Sequence, residues 1–227
     1  MASVGMGVII LPSFVSAQSC PPDPPPDPCL GGANPPPEGN NAPDCSPIII
    51  DTAGNGFQLT SAREGVQFDI TGTRKPIQIA WTAQGSMNAF LVFDRNNDGL
   101  INSGAELFGN FSPQPQSRFP NGFLALAEFD KPSNGGNGDG VIDSHDAIFS
   151  ELRLWIDLNH DGISQPNELL KLPDLGVLSI SLDYQESRRT DQYGNLFRYR
   201  TRINVIPGER DQSDASPMAY DVFLTTK

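Results

Sequence analysis

Three short segments between residues 94 and 168 share one spacing, in which side chains that carry oxygen alternate along the chain ahead of a glycine. The two clearest read DRNNDG from Asp94 and DLNHDG from Asp157. Side chains at the first, third and fifth positions converge on one point only when the chain turns sharply, and glycine at the sixth position permits that turn. The spacing therefore predicts tight loops that gather negative charge around a shared centre.

Negative charge is concentrated in the same region. Residues 94 to 168 carry 12 acidic and 4 basic side chains, which accounts for −8 of the formal net charge of −12. Carboxylates about 4 Å apart repel by roughly 4 kcal/mol per pair at an effective dielectric constant of 20. A folded chain keeps such clusters when a cation neutralises them. One such segment also fits an ordinary Asn-Gly turn, but three together favour cation binding. The acidic balance excludes a generic nucleic-acid-binding protein.

Loop 1, our name for residues 94–106, differs from a standard EF-hand loop at its end. An EF-hand loop closes with a bidentate glutamate at position 12. In this chain Glu106 stands at position 13, which predicts an EF-hand-like loop with one extra residue. Its predicted ligands are the side chains of Asp94, Asn96, Asp98 and Glu106 and the backbone carbonyl of Leu100.

Loop 3, residues 157–168, matches the EF-hand spacing without an insertion. Gln165 is expected to contact the ion directly or through water, and Pro166 favours a short helix over residues 166–171. The predicted ligands are the side chains of Asp157, Asn159, Asp161 and Glu168 and the backbone carbonyl of Ile163.

Loop 2, residues 130–146, is irregular. Gly135 stands at its first position, so we expect Asp130 to fold back across the inserted stretch as the missing ligand. A weaker fragment from Asp51 to Gly56 offers only two side-chain oxygens. The predicted ligands of loop 2 are the side chains of Asp130, Asn137, Asp139, Asp143 and Asp146 and the backbone carbonyl of Val141.

The donor atoms of all three loops are oxygens, which suits a hard cation, and we therefore predict Ca²⁺ as the cofactor. His145 and His160 fall at loop positions that point outward, and no cysteine follows residue 45, so zinc is a poor candidate. The chain has neither a Gly-x-Ser-x-Gly nor a His-Glu-x-x-His motif, which argues against an ordinary hydrolase.

The first 47 residues indicate where the chain acts. Residues 1–17 hold a short apolar stretch ending in Val-Ser-Ala, which predicts a secretory signal peptide that lacks a basic start; a buried N-terminal strand is the alternative. Residues 18–47 predict a proline-rich linker with all three cysteines, Cys20, Cys29 and Cys45. These allow one disulfide and a spare thiol for an intermolecular bond, or they are incidental. We expect a secreted protein without a transmembrane segment.

Residues 48–227 are predicted to form one calcium-binding α+β module. Alternation of apolar and polar residues indicates strands near both ends, and short helices are expected at residues 123–129 and 145–151. We therefore expect small sheets at both ends, with the calcium loops and short helices between them. Arg198, Arg200 and Arg202 alternate along a late strand and predict either a solvated face that pairs with local acids or a surface for an acidic partner.

Three stretches of this region resemble the calcium-dependent self-processing module of FrpC-type RTX proteins. They are LVFDRNNDGLINSGAELFGNF from residue 91, NGFLALAEFD from residue 121, and NGDGVIDSHDAIFSELRLWIDLNHDGISQPNELLKLPDLGVLSISLDY from residue 137. The resemblance covers about residues 47–205. It implies a secreted module that folds on binding calcium and then cleaves an Asp-Pro bond at its N-terminal edge. In that reaction the aspartate carboxylate attacks its own carbonyl, and a lysine amine captures the resulting anhydride.

The bond that corresponds to the cleaved one is Ser46-Pro47 in this chain, and serine has no carboxylate to form an anhydride. We therefore predict a secreted, non-catalytic calcium-binding module that folds or is stabilised on binding Ca²⁺, with an unidentified protein or cell-surface partner. The alternative is a calcium-triggered module that cleaves and cross-links itself.

Overall fold

The computed structural model describes residues 45–206 and 217–227. The predicted signal peptide, nearly all of the predicted linker, Cys20 and Cys29 lie outside these residues. Cys45 is fully buried and disulfide-bonded. Within the described part of the chain, no helix is both long enough and apolar enough to cross a membrane.

Most of the regular structure in the described residues is β-strand. One short α-helix, α1, spans Gly122–Ala127. The strands are β1 (Ile48–Asp51), β2 (Val66–Phe68), β3 (Ile77–Ile79), β4 (Asn88–Val92), β5 (Val141–Ile142), β6 (Arg153–Trp155), β7 (Leu169–Lys171), β8 (Val177–Ser181), β9 (Gln185–Thr190), β10 (Leu196–Val205) and β11 (Met218–Phe223).

Nine of these strands form one antiparallel sheet. Its order is β5-β8-β10-β11-β1-β4-β6-β7, and β9 pairs with β10 beside this path. The strands β2 and β3 form a separate hairpin. Near the middle of the large sheet, β1 pairs with the late strand β11 on one side and with β4 on the other. The start and the end of the module are thus joined in a single sheet.

Both faces of the central strands are buried. In β1, Ile48 and Ile50 pack into one hydrophobic cluster, while Ile49 packs into a second. The strand β4 divides in the same way, with Leu91 in the first cluster and Phe90 in the second. Since successive side chains of a strand point to opposite faces, a sheet covered on both sides selects continuous apolar runs such as Ile48 to Ile50.

The predicted α+β class with small sheets at the two ends is wrong. The described chain is mostly β, and its ends pair with each other instead of forming separate sheets. Periodicity identifies most strands but contains no information about which strands pair, because pairing between distant segments is decided by packing on both faces of the sheet. The exposed strand β9 has no apolar alternation and was not predicted.

Two of the predicted helices are wrong as well. Residues 145–151 form a 3₁₀ turn over Ala147–Ser150, and residues 166–171 form a 3₁₀ turn over Pro166–Glu168 followed by β7. A helix shorter than about 12 residues is marginal without supporting contacts. The helix α1 forms where predicted, because the Asn121 side chain caps the Leu124 N–H at 3.0 Å and Phe123 is buried.

The arginines of β10 do not all lie on a solvated face. The guanidinium of Arg198 lies over the rings of Tyr199 and Phe223, at 5.4 and 5.3 Å from their centroids. Arg200 and Arg202 are exposed. The alternating arginines of β10 therefore lie in two environments, an aromatic contact at Arg198 and solvent at Arg200 and Arg202.

Candidate metal centre

Loop 1 begins with a carboxylate that binds the backbone of its own turn. Asp94 accepts hydrogen bonds from the backbone N–H groups of Asp98 and Gly99, at 3.2 and 2.9 Å. The Asn96 side-chain oxygen also accepts from the Asp98 N–H, at 2.9 Å. The Asp98 carboxylate in turn accepts from the Leu100 N–H at 2.8 Å. These bonds hold the oxygen atoms of the loop on its concave side.

The closing acid of loop 1 is Glu106, which is only 3% exposed. Its Oε2 accepts a hydrogen bond from the Asn102 N–H at 3.0 Å, whereas its Oε1 is buried and has no hydrogen-bond partner. Oxygen atoms of Asp94, Asp98 and Glu106 lie within 4.8 Å of one another. Among the described residues, this is the cluster of three acidic groups close enough to hold a metal ion.

The electrostatics of loop 1 differ between its exposed and buried acids. Hydrogen bonds from the Leu100 N–H and from two asparagine side chains hold the pKa of the exposed Asp98 below its ordinary value. Burial raises the pKa of Glu106, and the nearby charges of Asp98 and Asp94 raise it further. A cation among these groups would lower the pKa of Glu106 again, because its charge would compensate both the burial of the carboxylate and the repulsion from Asp94 and Asp98.

The extra residue of loop 1 is accommodated by a close approach of two backbone segments. A Cβ atom on Gly104 would lie 1.7 Å from the Ile70 carbonyl oxygen, so only glycine fits. The Arg95 Nε donates to the Ala105 carbonyl at 2.6 Å. With the insertion held in this way, Glu106 reaches the cluster that it forms with Asp94 and Asp98.

Loop 3 repeats the hydrogen bonds at the start of loop 1. Asp157 accepts from the N–H groups of Asp161 and Gly162, at 3.2 and 2.9 Å. The Asn159 oxygen accepts from the Asp161 N–H at 3.2 Å, and Asp161 accepts from the Ile163 N–H at 2.8 Å. The two loops thus have the same local geometry around their first, third and fifth residues.

Glu168 closes loop 3 and is also 3% exposed. Its carboxylate accepts from the Gln165 N–H at 3.2 Å and from the Leu158 N–H at 3.1 Å. The Gln165 amide nitrogen donates to Asp161 at 2.8 Å, and its Oε1 is buried without a hydrogen-bond partner. Loops 1 and 3 therefore each contain one buried side-chain oxygen that no described donor satisfies.

Two tryptophans hold the acids of loop 3. The Trp81 Nε1 donates to Asp157 at 2.8 Å, and the Trp155 Nε1 donates to Glu168 at 3.3 Å. The centroids of the two indole rings are 5.5 Å apart. The chain contains only these two tryptophans. Its tryptophan fluorescence therefore comes entirely from side chains that are hydrogen-bonded to loop 3.

In loop 2, the Asp130 carboxylate binds the backbone of the turn that follows the inserted stretch. Its carboxylate accepts from the N–H groups of Gly138, Asp139 and Gly140, at 3.0, 3.2 and 3.0 Å. The bonds to Asp139 and Gly140 correspond to those that Asp94 makes in loop 1. The inserted stretch therefore forms a side loop and leaves the turn itself intact.

The far end of loop 2 is held by Asp146, which is 3% exposed. This carboxylate accepts from the N–H groups of Asn137 and Asp143, at 3.3 and 2.9 Å. The Asp143 carboxylate itself faces outward and accepts from the His145 N–H and ring, each at 2.8 Å. Asp143 is thus a predicted ligand of loop 2 whose carboxylate is hydrogen-bonded to His145.

The backbone of the three loops has one further common feature. Positions 4 and 6 have positive φ when they are counted from Asp94 in loop 1, Gly135 in loop 2 and Asp157 in loop 3. Positive φ favours glycine or asparagine. The angles are 56° and 81° at Asn97 and Gly99, 75° and 82° at Gly138 and Gly140, and 61° and 72° at His160 and Gly162.

A loop of the same backbone type, which the sequence did not reveal, begins at Asp69. Its carboxylate accepts from the N–H groups of Thr73 and Arg74, at 3.0 and 2.7 Å, and φ is positive at Gly72 and Arg74. Thr71 and Thr73 stand at the third and fifth positions, and arginine takes the place of the sixth-position glycine, so no motif is visible. The weak fragment at Asp51 also turns around its carboxylate, which accepts from the Gly54 and Gly56 N–H groups.

The Ser46-Pro47 bond lies in a buried environment just before β1. Ser46 is 1% exposed, and its N–H donates to the Asn110 side chain at 2.8 Å. The carboxylate of Asp221 lies in the same region, where burial raises its pKa to about 6 and the Ser46 side chain counteracts part of the rise. The Phe108 carbonyl accepts from the Ile48 N–H, so the segment after Glu106 runs directly to this edge.

Comparison with known proteins connects this arrangement to a family. The iron-regulated protein FrpA of Neisseria meningitidis serogroup C is 38% identical over 152 residues, which cover 66% of this chain and 13% of that protein. The chain thus spans about an eighth of its relative's length. The family model of the SPM domain matches residues 48–217, a range that includes all three loops, and the chain belongs to the SPM domain family.

Proposed function

We infer that this chain is a calcium-binding module in which Ca²⁺ is held by loops 1, 2 and 3 and stabilises the fold. The observation that carries this inference is the buried Oε1 of Glu106, which has no hydrogen-bond partner and belongs to an acidic cluster with Asp94 and Asp98. A buried, unpaired carboxylate oxygen is costly in the folded state. A divalent cation in the loop removes that cost.

The donor set favours calcium over smaller ions. Loop 3 supplies Gln165 Oε1 as a second buried oxygen without a described partner, alongside carboxylates and backbone carbonyls. Ca²⁺ accepts six to eight such oxygens in flexible geometry, whereas Mg²⁺ requires a near-ideal octahedron and retains water. Leu100 and Ile163, whose carbonyls are proposed ligands, leave 42% and 60% of their surface exposed. These positions are therefore set by the loop turn more than by core packing.

We place the module outside the cell, after a signal peptide (residues 1–17) and a proline-rich linker (residues 18–47), with residues 48–227 as the calcium-binding unit. This proposal is supported by the composition of the N-terminal segment and by the relationship to the SPM domain family. Extracellular modules bind calcium with Kd values of about 10⁻⁴ to 10⁻³ M, which matches the calcium concentration outside cells.

The module is proposed to be non-catalytic, because residue 46 is a serine. An aspartate carboxylate reaches its own carbonyl carbon through a five-membered ring. A serine hydroxyl would require a strained four-membered ring, so the same route to peptide cleavage is closed.

Calcium-triggered self-cleavage is the second candidate, and one observation favours it. Glu106 in loop 1 is two residues from Phe108, whose carbonyl accepts from the Ile48 N–H at 2.6 Å. Ordering of loop 1 by an ion would thus reach the backbone next to the Ser46-Pro47 bond.

Calorimetry of the full chain tests the proposal. Titration with CaCl₂ is expected to release or absorb heat with a stoichiometry above one, and MgCl₂ is expected to bind more weakly.

Saturating calcium should raise the melting temperature relative to EDTA, since a ligand at 100 times its Kd adds about 2.7 kcal/mol per site. Equal melting in calcium and in EDTA would reject calcium binding. A new fragment on a denaturing gel after calcium addition would favour the self-cleaving alternative.

A further inference from the structure

Loops 1 and 3 touch each other through one buried hydrogen bond. The Ile101 N–H donates to the Ser164 Oγ at 2.7 Å, and both residues are 2% exposed. Each is the eighth residue of its loop, the position next to the proposed carbonyl ligand. The two proposed ion sites are therefore joined at equivalent points, by a backbone group on one side and a side chain on the other.

The bond is only a few atoms from the acids of both loops. The residue before Ile101 is Leu100, whose N–H is bound by Asp98 at 2.8 Å. The residue before Ser164 is Ile163, whose N–H is bound by Asp161 at 2.8 Å. A change in the position of either acid thus moves a backbone segment that ends at the shared bond.

Loop 2 has no such connection to the other loops among the described residues. Its corresponding segment, Val141 and Ile142, forms β5 and pairs with Ser181 and Ile180 of β8. Ile142 packs in the first hydrophobic cluster, while Ile101 packs in the second. Loop 2 is therefore anchored to β8, and its core contact lies in the other hydrophobic cluster.

We propose that loops 1 and 3 bind Ca²⁺ as a coupled pair, and that Ser164 is the positioning residue through which an ion in one loop raises the affinity of the other. The inference rests on the proposed function and adds a regulatory relationship between two of its sites. An ion in loop 1 orders the backbone at Ile101, and the bond to Ser164 transfers that order to loop 3. Binding of the second ion then costs less conformational entropy, because loop 3 is already partly ordered.

The serine itself supports this role. An EF-hand loop places an aliphatic anchor at the eighth position, as Ile101 is in loop 1, and an aliphatic residue would leave the buried Ile101 N–H without an acceptor. The Ser164 hydroxyl supplies that acceptor across the interface between the loops. A side chain that served only to fill space would have no need of an oxygen there.

The indole fluorescence of the full chain reports directly on loop 3, because Trp81 and Trp155 donate hydrogen bonds to its acids, whereas no such bond to an acid of loop 1 is among those described. Calcium titrations are compared for the wild type, Glu106→Gln, Ser164→Ala and the double variant. We expect Glu106→Gln, which weakens loop 1, to raise the calcium concentration at the fluorescence midpoint roughly 5-fold or more. In the Ser164→Ala background the same substitution is expected to leave the midpoint unchanged.

Two controls separate coupling from a general loss of structure. Asp130→Asn weakens loop 2 and is expected to leave the fluorescence midpoint at the wild-type value. Ser164→Thr retains the hydroxyl and is expected to preserve the effect of Glu106→Gln, which keeps the test valid if Ser164→Ala does not fold. Circular dichroism in EDTA verifies the fold of each variant.

Different outcomes reject different statements. If Glu106→Gln leaves the midpoint unchanged in the wild-type background, the loops are not coupled. If it shifts the midpoint equally with Ser164 and with alanine, the coupling does not pass through Ser164. If neither the fluorescence nor the calorimeter responds to calcium, the proposed calcium-binding function itself is wrong.

Discussion

The indole nitrogen of Trp81 donates a hydrogen bond to the carboxylate of Asp157 over 2.8 Å in a fully buried environment. Trp81 belongs to the second hydrophobic cluster, next to Phe90 at a centroid distance of 4.3 Å. The first acid of loop 3 is therefore tied to the aromatic core of the sheet. The Trp155–Glu168 hydrogen bond makes a second link of the same kind.

Asp157→Asn is expected to separate fold from calcium binding. The asparagine oxygen still accepts from Trp81 Nε1 and from the Gly162 N–H, so the melting temperature in EDTA should stay near that of the wild type. The loss of one charge among the proposed ligands should reduce the increase in melting temperature on adding calcium. Differential scanning calorimetry with EDTA and with calcium measures both quantities.

The matched control is Asp51→Asn, because Asp51 also turns a loop around its carboxylate. Its segment lacks the series of acids and asparagines that the other loops carry. This variant is expected to keep most of the calcium-induced increase. Equal losses in the two variants would contradict the ranking of the loops.

Glu106→Gln is expected to stabilise the calcium-free chain at neutral pH. Burial and two neighbouring charges raise the pKa of Glu106, so its ionised form is disfavoured in the folded state when no cation is present. The amide has no charge to bury and still accepts from the Asn102 N–H. Urea denaturation in EDTA should give a higher midpoint for the variant, and denaturation in calcium should give a lower one. A lower midpoint in both conditions would mean that the carboxylate is structural.

The local geometry of the site was more accessible from the sequence than the fold. The spacing of loop 2 indicates Asp130, which precedes the inserted stretch, as its first acid. In the structure Asp130 accepts hydrogen bonds from its own turn, as Asp94 and Asp157 do in their loops. Such turns are determined by residues a few positions apart, in particular by the glycine at the sixth position. A short-range pattern is therefore sufficient to find them.

The features that the sequence did not reveal depend on distant contacts. Nothing near Ile101 indicates that its N–H is accepted by Ser164, 63 positions later. The same holds for the pairing of β1 with β11, which overturns the α+β prediction. The turn at Asp69 is missed for another reason: its backbone is held by one acid, and the remaining loop positions have lost the residues that a motif requires.

Asp221 predicts how stability depends on pH. It is fully buried, Gly122 N–H donates to it at 2.8 Å, and burial raises its pKa to about 6 from 3.8. A carboxyl whose pKa is raised by folding binds a proton more tightly in the folded state. Its contribution to the free energy of unfolding is therefore fully present below pH 4 and is lost as the pH rises to about 6. The difference between the two pKa values corresponds to a loss of about 3 kcal/mol in the free energy of unfolding.

Asp221→Asn should remove this slope. The difference in unfolding free energy between the variant and the wild type is expected to grow in favour of the variant from pH 4 to pH 6 and to be constant above that range. Urea titrations in EDTA at each pH provide the measurement, and the acids of the loops cancel because both proteins have them. Parallel curves over the whole range would show that Asp221 is ionised in the folded state.

Ser46→Asp tests whether the module has lost more than its nucleophile. An aspartate at this position can attack its own carbonyl, expel the Pro47 nitrogen as an amine and form a cyclic anhydride that water opens. We expect the wild type to remain intact after calcium addition and the variant to release a fragment that begins at Pro47, identified by mass spectrometry. Ser46→Asn, which has the same shape and no carboxylate, is the control. Since residue 46 is 1% exposed and neighbours Asp221, the introduced acid enters a site that already disfavours charge. Cleavage of the wild type, or of the asparagine variant, would refute the role assigned to the carboxylate.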